Sequence, residues 1–221
     1  MPTDPRMGRL YVPDERDAAY PMQSIMPRGG GPVKRFWRDD LWLGDQGFKP
    51  YCVGYAWVHW LETEPVTHDL GSPAYSPDSL YHDAQRVDAW PGENYDGTSV
   101  RAGAKVLRKL GFIKNYYWAT RVWEIANAIR KIGPVVVGTA WYSGMTNPNR
   151  YGRIRPTGRF EGGHAYLLSG VNCEKKFFRV RNSWGLDWGK KGRARITFKD
   201  FKRLLADNGE ACIATEVSMG G

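Results

Sequence analysis

Two adjoining segments, Gln46-Gly-Phe-Lys-Pro-Tyr-Cys52 and Val53-Gly-Tyr-Ala-Trp-Val-His-Trp-Leu-Glu62, predict a loop that leads into a helix. The second segment is apolar or aromatic on nearly every side, which is typical of a helix buried all round. Cys52 is therefore expected in the first turn, where unpaired N–H groups and the helix dipole stabilise a thiolate. We expect the Gln46 side-chain amide and the Cys52 backbone N–H to form a two-donor cradle for an oxyanion.

The composition predicts a folded protein with a large core. The chain has 221 residues, of which 42% are hydrophobic and 14% aromatic, and this size allows one domain or two lobes across a cleft. No run approaches the roughly 20 apolar residues of a membrane span. The N-terminus lacks the apolar core of a secretory signal. We therefore expect no membrane span and a protein that is cytoplasmic or delivered by a non-classical route, and the oligomeric state is not predicted.

The cysteines and charges exclude some classes of site. Three cysteines argue against a disulfide framework and have no zinc-site spacing, so neither a metal nor a cofactor is expected. Cys173 and Cys212 lie in strand-like segments and are interpreted as core residues, although a bond between them remains open. The net charge of +9 favours acidic partners, but the basic residues are spread along the chain, as on a solvated surface. Nucleic-acid binding is not expected, since no basic motif interleaved with aromatics is present.

Four arginines in segment 149–159 leave two interpretations open. In the first interpretation they line a groove and favour the binding of acidic side chains or of an anionic polymer. In the second they belong to a solvated loop.

The chain changes character along its length. Residues 1–35, with several prolines and three consecutive glycines, predict an extended arm packed over the surface. Residues 36–133 predict a helical lobe, and residues 134–221 predict a β-rich lobe with an antiparallel sheet or barrel. Together these features indicate an α+β protein in two lobes. Helices are expected at 52–62, after a Ser76 cap, at 98–111 and at 123–132; strands are expected at 135–141, 165–169, 177–181, 193–198 and 211–217.

His164 is the histidine that we expect to act with Cys52. It begins a strand in Glu161-Gly-Gly-His-Ala, where paired glycines let backbone approach closely. His59 is seven residues along the same helix as Cys52, about 10 Å away, and cannot reach it. His68 and His82 lie in loop or helix-surface contexts and are expected to be solvated. A lone histidine is usually structural, so His164 is a catalytic candidate only because a cysteine and an amide accompany it.

Asn182 is the amide expected to orient the imidazole. It occurs in Asn182-Ser-Trp-Gly-Leu-Asp-Trp-Gly189, where Trp184 and Trp188 would exclude water from an Asn–His bond. Taken alone, the same pattern also describes a turn asparagine beside two core tryptophans.

The order Gln46, Cys52, His164, Asn182 resembles the papain-like cysteine peptidase family, from about Phe36 onward. Gln46 stands six residues before Cys52, as the oxyanion-hole glutamine does in that family. The Asn182-Ser-Trp-Gly-x-x-Trp-Gly pattern is the most specific match. The resemblance implies a helical left lobe, a β-barrel right lobe and an active site in the cleft between them.

The resemblance also implies roles for these residues. Cys52 would attack a peptide carbonyl as a thiolate, and His164, protonated in a resting ion pair, would deliver a proton to the leaving amine. Asn182 would fix the imidazole, and Gln46 would hold the oxyanion. Papain is the standard example of a histidine-paired, low-pKa cysteine, so the ion pair is taken from the family.

The substrate contacts are implied by shorter matches. The turn Asp96-Gly97-Thr98 is similar to the family's glycine-containing substrate turn, and Gly163 precedes the histidine as a further substrate-binding position. The family's usual Cys-Gly-Ser-Cys-Trp is here Lys49-Pro-Tyr-Cys-Val53, so that one disulfide is missing and substrate preference is not predicted. The N-terminal arm is shorter than the family's usual inhibitory propeptide, so activation by its removal is not implied.

The function expected from the sequence is a cysteine endopeptidase acting on a peptide or protein substrate. An exopeptidase or an acyltransferase using the same site remains open, because no motif reports groove blocking or acceptor access. The alternative of a different class is an inactive papain-like binding module.

Overall fold

The computed structural model describes residues 4–15, 19–40, 43–66 and 75–216. A short 3₁₀ helix covers Met22–Ile25. The α-helices are α1 Cys52–Leu61, α2 Pro77–Gln85, α3 Val100–Lys109, α4 Val122–Lys131, α5 Ser143–Thr146 and α6 Phe198–Ala206. The strands are β1 Lys34–Phe36, β2 Ile113–Trp118, β3 Val135–Tyr142, β4 Phe160–Asn172, β5 Phe177–Arg181, β6 Arg193–Thr197 and β7 Glu210–Glu216.

Helix α1 is the centre of the left lobe. All ten of its residues are buried, which confirms the predicted helix that is apolar all round. Glycines let its neighbours approach closely: a Cβ on Gly54 would lie 2.1 Å from the Pro77 carbonyl oxygen, and one on Gly103 would lie 2.3 Å from the Trp57 ring. The expected Ser76 cap of α2 is confirmed, since its side chain accepts a hydrogen bond from the backbone of Ser79.

One antiparallel sheet forms the right lobe. Its strand order is β2-β7-β3-β4-β5-β6, and β1 pairs with β4. The central pair β3 and β4 places Thr139 opposite His164. Helices packed beside one large antiparallel sheet confirm the predicted α+β fold in two lobes.

Five elements were not predicted from the sequence: the 3₁₀ helix, β1, β2, α5 and α6. Strand β2 lies between two helices of the chain and forms only by pairing with β7, about 100 residues later. Helix α6 begins at Phe198, where a strand was expected to end, because the Thr197 side chain caps it by accepting from the Asp200 backbone N–H at 3.1 Å. Strand β4 is also longer than predicted, at 13 residues.

Helix α4 packs against the right-lobe sheet. Its Ile125 and Ile129 belong to the same apolar cluster as strands β3, β4 and β5. The division of the chain after residue 133 stays a prediction, and Val217, the expected end of the last strand, lies outside the described residues. No helix in the described part of the chain is both long enough and apolar enough to span a bilayer.

Candidate active site

Cys52 is the first residue of α1, and its sulfur reaches across to the right lobe. The Sγ atom accepts a hydrogen bond from the backbone N–H of Ala165 in β4 at 3.4 Å. Ala165 directly follows His164. Packing of α1 against β4 therefore carries the thiol of one lobe to the strand that bears the histidine.

His164 in β4 meets Asn182, the residue that directly follows β5. His164 Nε2 lies 2.8 Å from Asn182 Oδ1, and that oxygen also accepts from the Ser183 backbone N–H at 2.9 Å. Because the amide oxygen accepts, Nε2 carries the hydrogen and the ring orientation is held. The other ring nitrogen, Nδ1, has no hydrogen-bond partner among the residues that the structure describes.

Tryptophan rings enclose the imidazole. The Trp184 ring centre lies 5.1 Å from that of His164, and the Trp141 ring centre lies 4.8 Å away. Trp188 packs against Trp184 at 5.9 Å. The sequence analysis did not assign Trp141 to the site, because this residue lies in β3 and reaches the site only through the pairing of β3 with β4. Burial of this kind strengthens the His–Asn hydrogen bond.

Gln46 is fixed by the residue that follows Asn182. Its backbone N–H donates to the Ser183 carbonyl at 2.9 Å, and its Oε1 accepts from the Ser183 hydroxyl at 2.5 Å. Its Nε2 donates to the Lys49 carbonyl at 2.7 Å and to the Arg6 carbonyl at 3.0 Å. The side-chain amide is thus directed at the chain segment that occupies the cleft.

That segment is residues 4–10, called here the N-terminal segment. The Thr98 N–H donates to the Gly8 carbonyl at 2.9 Å, and the Leu10 N–H donates to the Thr98 carbonyl at 2.9 Å. On the other side, the Arg9 N–H donates to the Gly163 carbonyl at 3.0 Å. The segment is therefore hydrogen-bonded to both lobes and runs parallel to the strand-like backbone at Thr98.

Two of the three predicted substrate-binding positions face the N-terminal segment. A Cβ on Gly97, where φ is +104°, would lie 2.8 Å from the Gly8 oxygen, and one on Gly163 would lie 2.1 Å from the Arg9 oxygen. Only glycine leaves room for a chain at these places. Asp96 is exposed, and it is Thr98 that pairs with the segment instead.

The expectation of an arm packed over the surface is wrong for this part of the chain. Met7 is 3% exposed and belongs to the right-lobe core. The Arg6 guanidinium stacks 3.6 Å from the centre of the Trp184 ring. Gly8 lies so close to the loop before Cys52 that a Cβ on it would be 1.7 Å from the Pro50 oxygen. Sequence patterns did not reveal this placement, because it depends on contacts with both lobes.

Burial of Cys52 and His164 shifts the pKa values of both groups. Burial raises the pKa of Cys52 to about 11, although backbone N–H groups of Ala165 and Gly8 oppose the shift. Burial lowers the pKa of His164 to about 4, against the opposing effect of the Asn182 hydrogen bond. Both shifts favour the neutral thiol and the neutral imidazole at pH 7 in the covered site, so the ion pair that the family resemblance implies stays a prediction for the open site. The physical reason is that neither charge is solvated there.

The other histidines and cysteines considered from the sequence lie in several different environments. His59 is buried in α1, where burial lowers its pKa well below the usual value. His82 is half-buried and lies 3.3 Å from the Tyr51 hydroxyl, whereas His68 lies outside the described residues. No disulfide joins Cys173 to Cys212.

In the arginine-rich segment, two of the four arginines form ion pairs with acidic residues of the right lobe. Arg153 pairs with Asp200 at 2.7 Å and Arg159 with Glu161 at 3.2 Å.

Comparison with curated sequences finds a cysteine proteinase and an uncharacterized peptidase C1-like protein. The chain is 29% identical over 118 residues to cathepsin B-like cysteine proteinase 3 of Ostertagia ostertagi, covering 48% of this chain and 67% of that protein. It is 29% identical over 114 residues to an uncharacterized peptidase C1-like protein of Acanthamoeba polyphaga mimivirus, covering 49% and 36%. This chain therefore spans between about a third and two thirds of the length of these relatives.

Solved structures share the fold. Xylellain, a cysteine protease from Xylella fastidiosa, superposes with a TM-score of 0.75 at 23% identity, covering 96% of this chain and 97% of that one. Digestive procathepsin L 3 of the Tenebrio molitor larval midgut superposes with a TM-score of 0.68 at 15% identity, covering 96% and 77%.

A family model supplies the assignment. The model described as papain family cysteine protease matches residues 82–219, more than half of the chain, a range that includes His164 and Asn182 but begins after Cys52. Cys52 and Gln46 are instead connected to these residues by the contacts described above. The chain belongs to the papain family of cysteine proteases.

Proposed function

We propose that this protein is a cysteine-type endopeptidase in which Cys52, His164 and Asn182 act together. The observation that carries the proposal is the gathering of these residues at β4: Sγ lies against the Ala165 N–H, and the adjacent imidazole is bonded to Asn182 at 2.8 Å. Family membership supports the same chemistry.

The reaction begins once a peptide replaces the N-terminal segment. His164 Nδ1 takes the proton of the Cys52 thiol, and solvation of the open cleft stabilises the resulting ion pair. Sγ then attacks the carbonyl carbon, and the π electrons move to the oxygen. Asn182 holds Nε2, which leaves Nδ1, a nitrogen with no hydrogen-bond partner among the described residues, to act as the base.

Gln46 Nε2 and the Cys52 backbone N–H stabilise the tetrahedral oxyanion. A carbonyl oxygen, that of Arg6, already accepts from Gln46 Nε2 at 3.0 Å, which supports this role for the amide. Collapse of the intermediate breaks the C–N bond as Nδ1–H protonates the leaving amine. His164 then acts as base for a water molecule that hydrolyses the thioacyl-enzyme and regenerates the thiol.

The burial of the site favours one alternative, an inactive papain-like binding module. Cys52 and His164 are both 0% exposed, and both are neutral at pH 7. A protein that never released its N-terminal segment would keep the fold without turnover.

A fluorogenic peptide library separates the two functions. We expect peptide cleavage to be higher in Gly8→Ala than in the wild type, because a Cβ on residue 8 would lie 1.7 Å from the Pro50 oxygen and should displace the segment. Cleavage should disappear in Cys52→Ala and after iodoacetamide treatment of Gly8→Ala. Cleavage that persists in Cys52→Ala, or no cleavage by Gly8→Ala once its Cys52 is shown to be reactive, would refute the peptidase proposal.

A further inference from the structure

A groove on the right lobe, called here the basic groove, is lined by residues of segments 148–152 and 189–195 and by Arg179. Its volume is about 760 Å³, and no acidic residue of the described chain lines it. Its six basic residues are Arg150, Arg179, Lys190, Lys191, Arg193 and Arg195. A cleft lined by one sign of charge attracts ligands of the opposite sign.

Two of the six cations share one buried carboxylate. Arg193 donates to Asp39 Oδ1 through Nε at 2.8 Å and through Nη2 at 2.7 Å, and Arg179 Nη2 lies 3.1 Å from Asp39 Oδ2. Arg181 lies behind the groove, is 1% exposed and donates to the Lys191 carbonyl at 3.0 Å. Burial lowers the pKa of Arg181 to about 10, against the opposing effect of Asp39. The charges of Arg193 and Arg179 add to the fall, so one carboxylate does not balance the cations around it.

The other four basic residues are exposed and form no ion pair within the described part of the chain. They are Arg150, Lys190, Lys191 and Arg195. The Arg150 guanidinium lies 4.7 Å from the centre of the Tyr151 ring and donates to its hydroxyl at 2.5 Å. The Arg195 guanidinium lies 5.1 Å from the centre of the Phe177 ring. Neutral rings hold these two guanidinium groups without cancelling their charge.

Backbone hydrogen bonds fix the basic groove to the site. The Arg195 N–H donates to the Gly152 carbonyl at 2.7 Å, which joins the two segments that line the groove. The Asn182 N–H donates to the Gly192 carbonyl at 3.0 Å. Because the Asn182 side chain is bonded to His164, a protein held in the groove is held close to the proposed catalytic residues.

We propose that the basic groove binds an acidic stretch of a partner protein, which under the proposed peptidase function is the substrate. Carboxylates of such a stretch meet exposed cations that have no acidic partner in the described chain. A single-stranded nucleic acid fits less well, because such ligands stack on successive aromatic rings. Tyr151 is the one aromatic residue among the described residues that line the groove.

The first test measures binding and needs no catalysis. A fluorescein-labelled peptide of alternating Glu and Gly is titrated with the full chain and followed by fluorescence anisotropy, with a Gln–Gly peptide as its uncharged control. We expect the wild type to bind the Glu peptide more tightly than the Gln peptide, and the difference to shrink as NaCl screens the exposed charges. In Arg150→Gln/Lys190→Gln/Lys191→Gln the Kd for the Glu peptide should rise about tenfold, since three exposed ion pairs contribute a factor of about two each.

The matched control is Arg108→Gln/Lys109→Gln/Lys114→Gln. It removes one arginine and two lysines from exposed positions on α3, the residue before its C-terminal turn and β2, and leaves the groove unchanged. Its Kd should stay close to that of the wild type. Equal losses in the two variants, or equal binding of the Glu and Gln peptides to the wild type, would overturn the inference. So would binding of a single-stranded oligonucleotide at the groove without binding of the Glu peptide.

The second test asks whether binding in the groove aids cleavage. A peptide that Gly8→Ala cleaves is extended at either end by the Glu–Gly stretch through Gly-Ser linkers of several lengths, and the Gln–Gly extension is the control. For one arrangement we expect the Glu extension to lower KM about tenfold with kcat unchanged. Adding Arg150→Gln/Lys190→Gln/Lys191→Gln to Gly8→Ala should remove this advantage.

The outcomes distinguish this inference from the proposed function. Equal KM values for the Glu and Gln extensions in every arrangement would overturn the docking of a substrate and leave the peptidase standing. Binding of the Glu peptide in the groove without cleavage of any peptide would support the groove as a binding site and refute the peptidase.

Discussion

Replacing Gly8 with alanine should uncover the thiol of Cys52. The added Cβ would lie 1.7 Å from the carbonyl oxygen of Pro50, and that oxygen belongs to backbone two residues before the cysteine. Such a contact cannot be relieved by rotating a side chain. We therefore expect the N-terminal segment to move out of the cleft around Gly8.

The size of the effect follows from the titration of Cys52. With a pKa of about 11 in the covered site, about one molecule in 10,000 carries a thiolate at pH 7. Loss of the burial that causes the shift would return the pKa to 9.0 or below, where about one in 100 is ionised. Since the thiolate is the nucleophile, alkylation of Cys52 should accelerate by at least about 100-fold.

The assay is alkylation by iodoacetamide at pH 7, followed for each cysteine by mass spectrometry. In the wild type we expect Cys52 to react more slowly than the half-buried Cys173. Gly30→Ala is the matched control, because a Cβ there would meet no atom within 4 Å. Wild-type Cys52 reacting as fast as Cys173, or Gly8→Ala reacting no faster than Gly30→Ala, would show that the segment does not protect the thiol.

Three further predictions concern catalysis, pH and packing. Gln46→Ala should cost about 3 kcal/mol of transition-state stabilisation, which is a fall of at least about 100-fold in kcat. The change is measured with Gly8→Ala as the background, because cleavage by that variant is expected to be high enough to quantify. An unchanged kcat would show that Gln46 does not form part of the oxyanion hole. The pKa of His164 is about 4 when folded and near 6.5 when unfolded, so the neutral ring favours the fold, and stability is lost as pH falls from 6.5 to 4. Urea unfolding of the wild type should therefore lose about 3 kcal/mol more over this range than His164→Gln, and equal losses would contradict the burial of a neutral imidazole. Gly103→Ala should lower the free energy of unfolding by about 1–3 kcal/mol, because its Cβ would meet the buried Trp57 ring at 2.3 Å; an unchanged urea midpoint would contradict this packing of α1 on α3.

Local patterns predicted the elements whose signals lie within a few residues. Helix α1 was expected from its apolar sequence and α2 from its Ser76 cap, and both have the expected positions. Strand β5 was expected over the residues that it occupies. Strand β2 was not predicted, because it forms by pairing with β7, about 100 residues later in the chain. Helix α6 was not predicted either, since its Thr197 cap follows a strand without a break.

The candidate site likewise contains residues that the sequence pattern identified as candidates and residues that it did not. Cys52, His164, Asn182 and Gln46 were identified because their residue types and spacing in the chain match one family. Trp141 and Ser183 were not identified as parts of the site, although one packs on the imidazole and the other holds Gln46. Their roles depend on which strands are neighbours, which no local pattern reports.

By itself, the sequence determined the residue types available for the chemistry and the local preference of each segment for helix or strand. Only the tertiary structure decided that the N-terminal segment lies in the cleft, that the thiol and imidazole are neutral there, and that Arg9 meets Glu210 across 201 residues of chain. Sequence spacing controls contacts within a helix or a turn. Contacts between distant segments, and the burial that shifts their pKa values, exist only when the whole chain has packed.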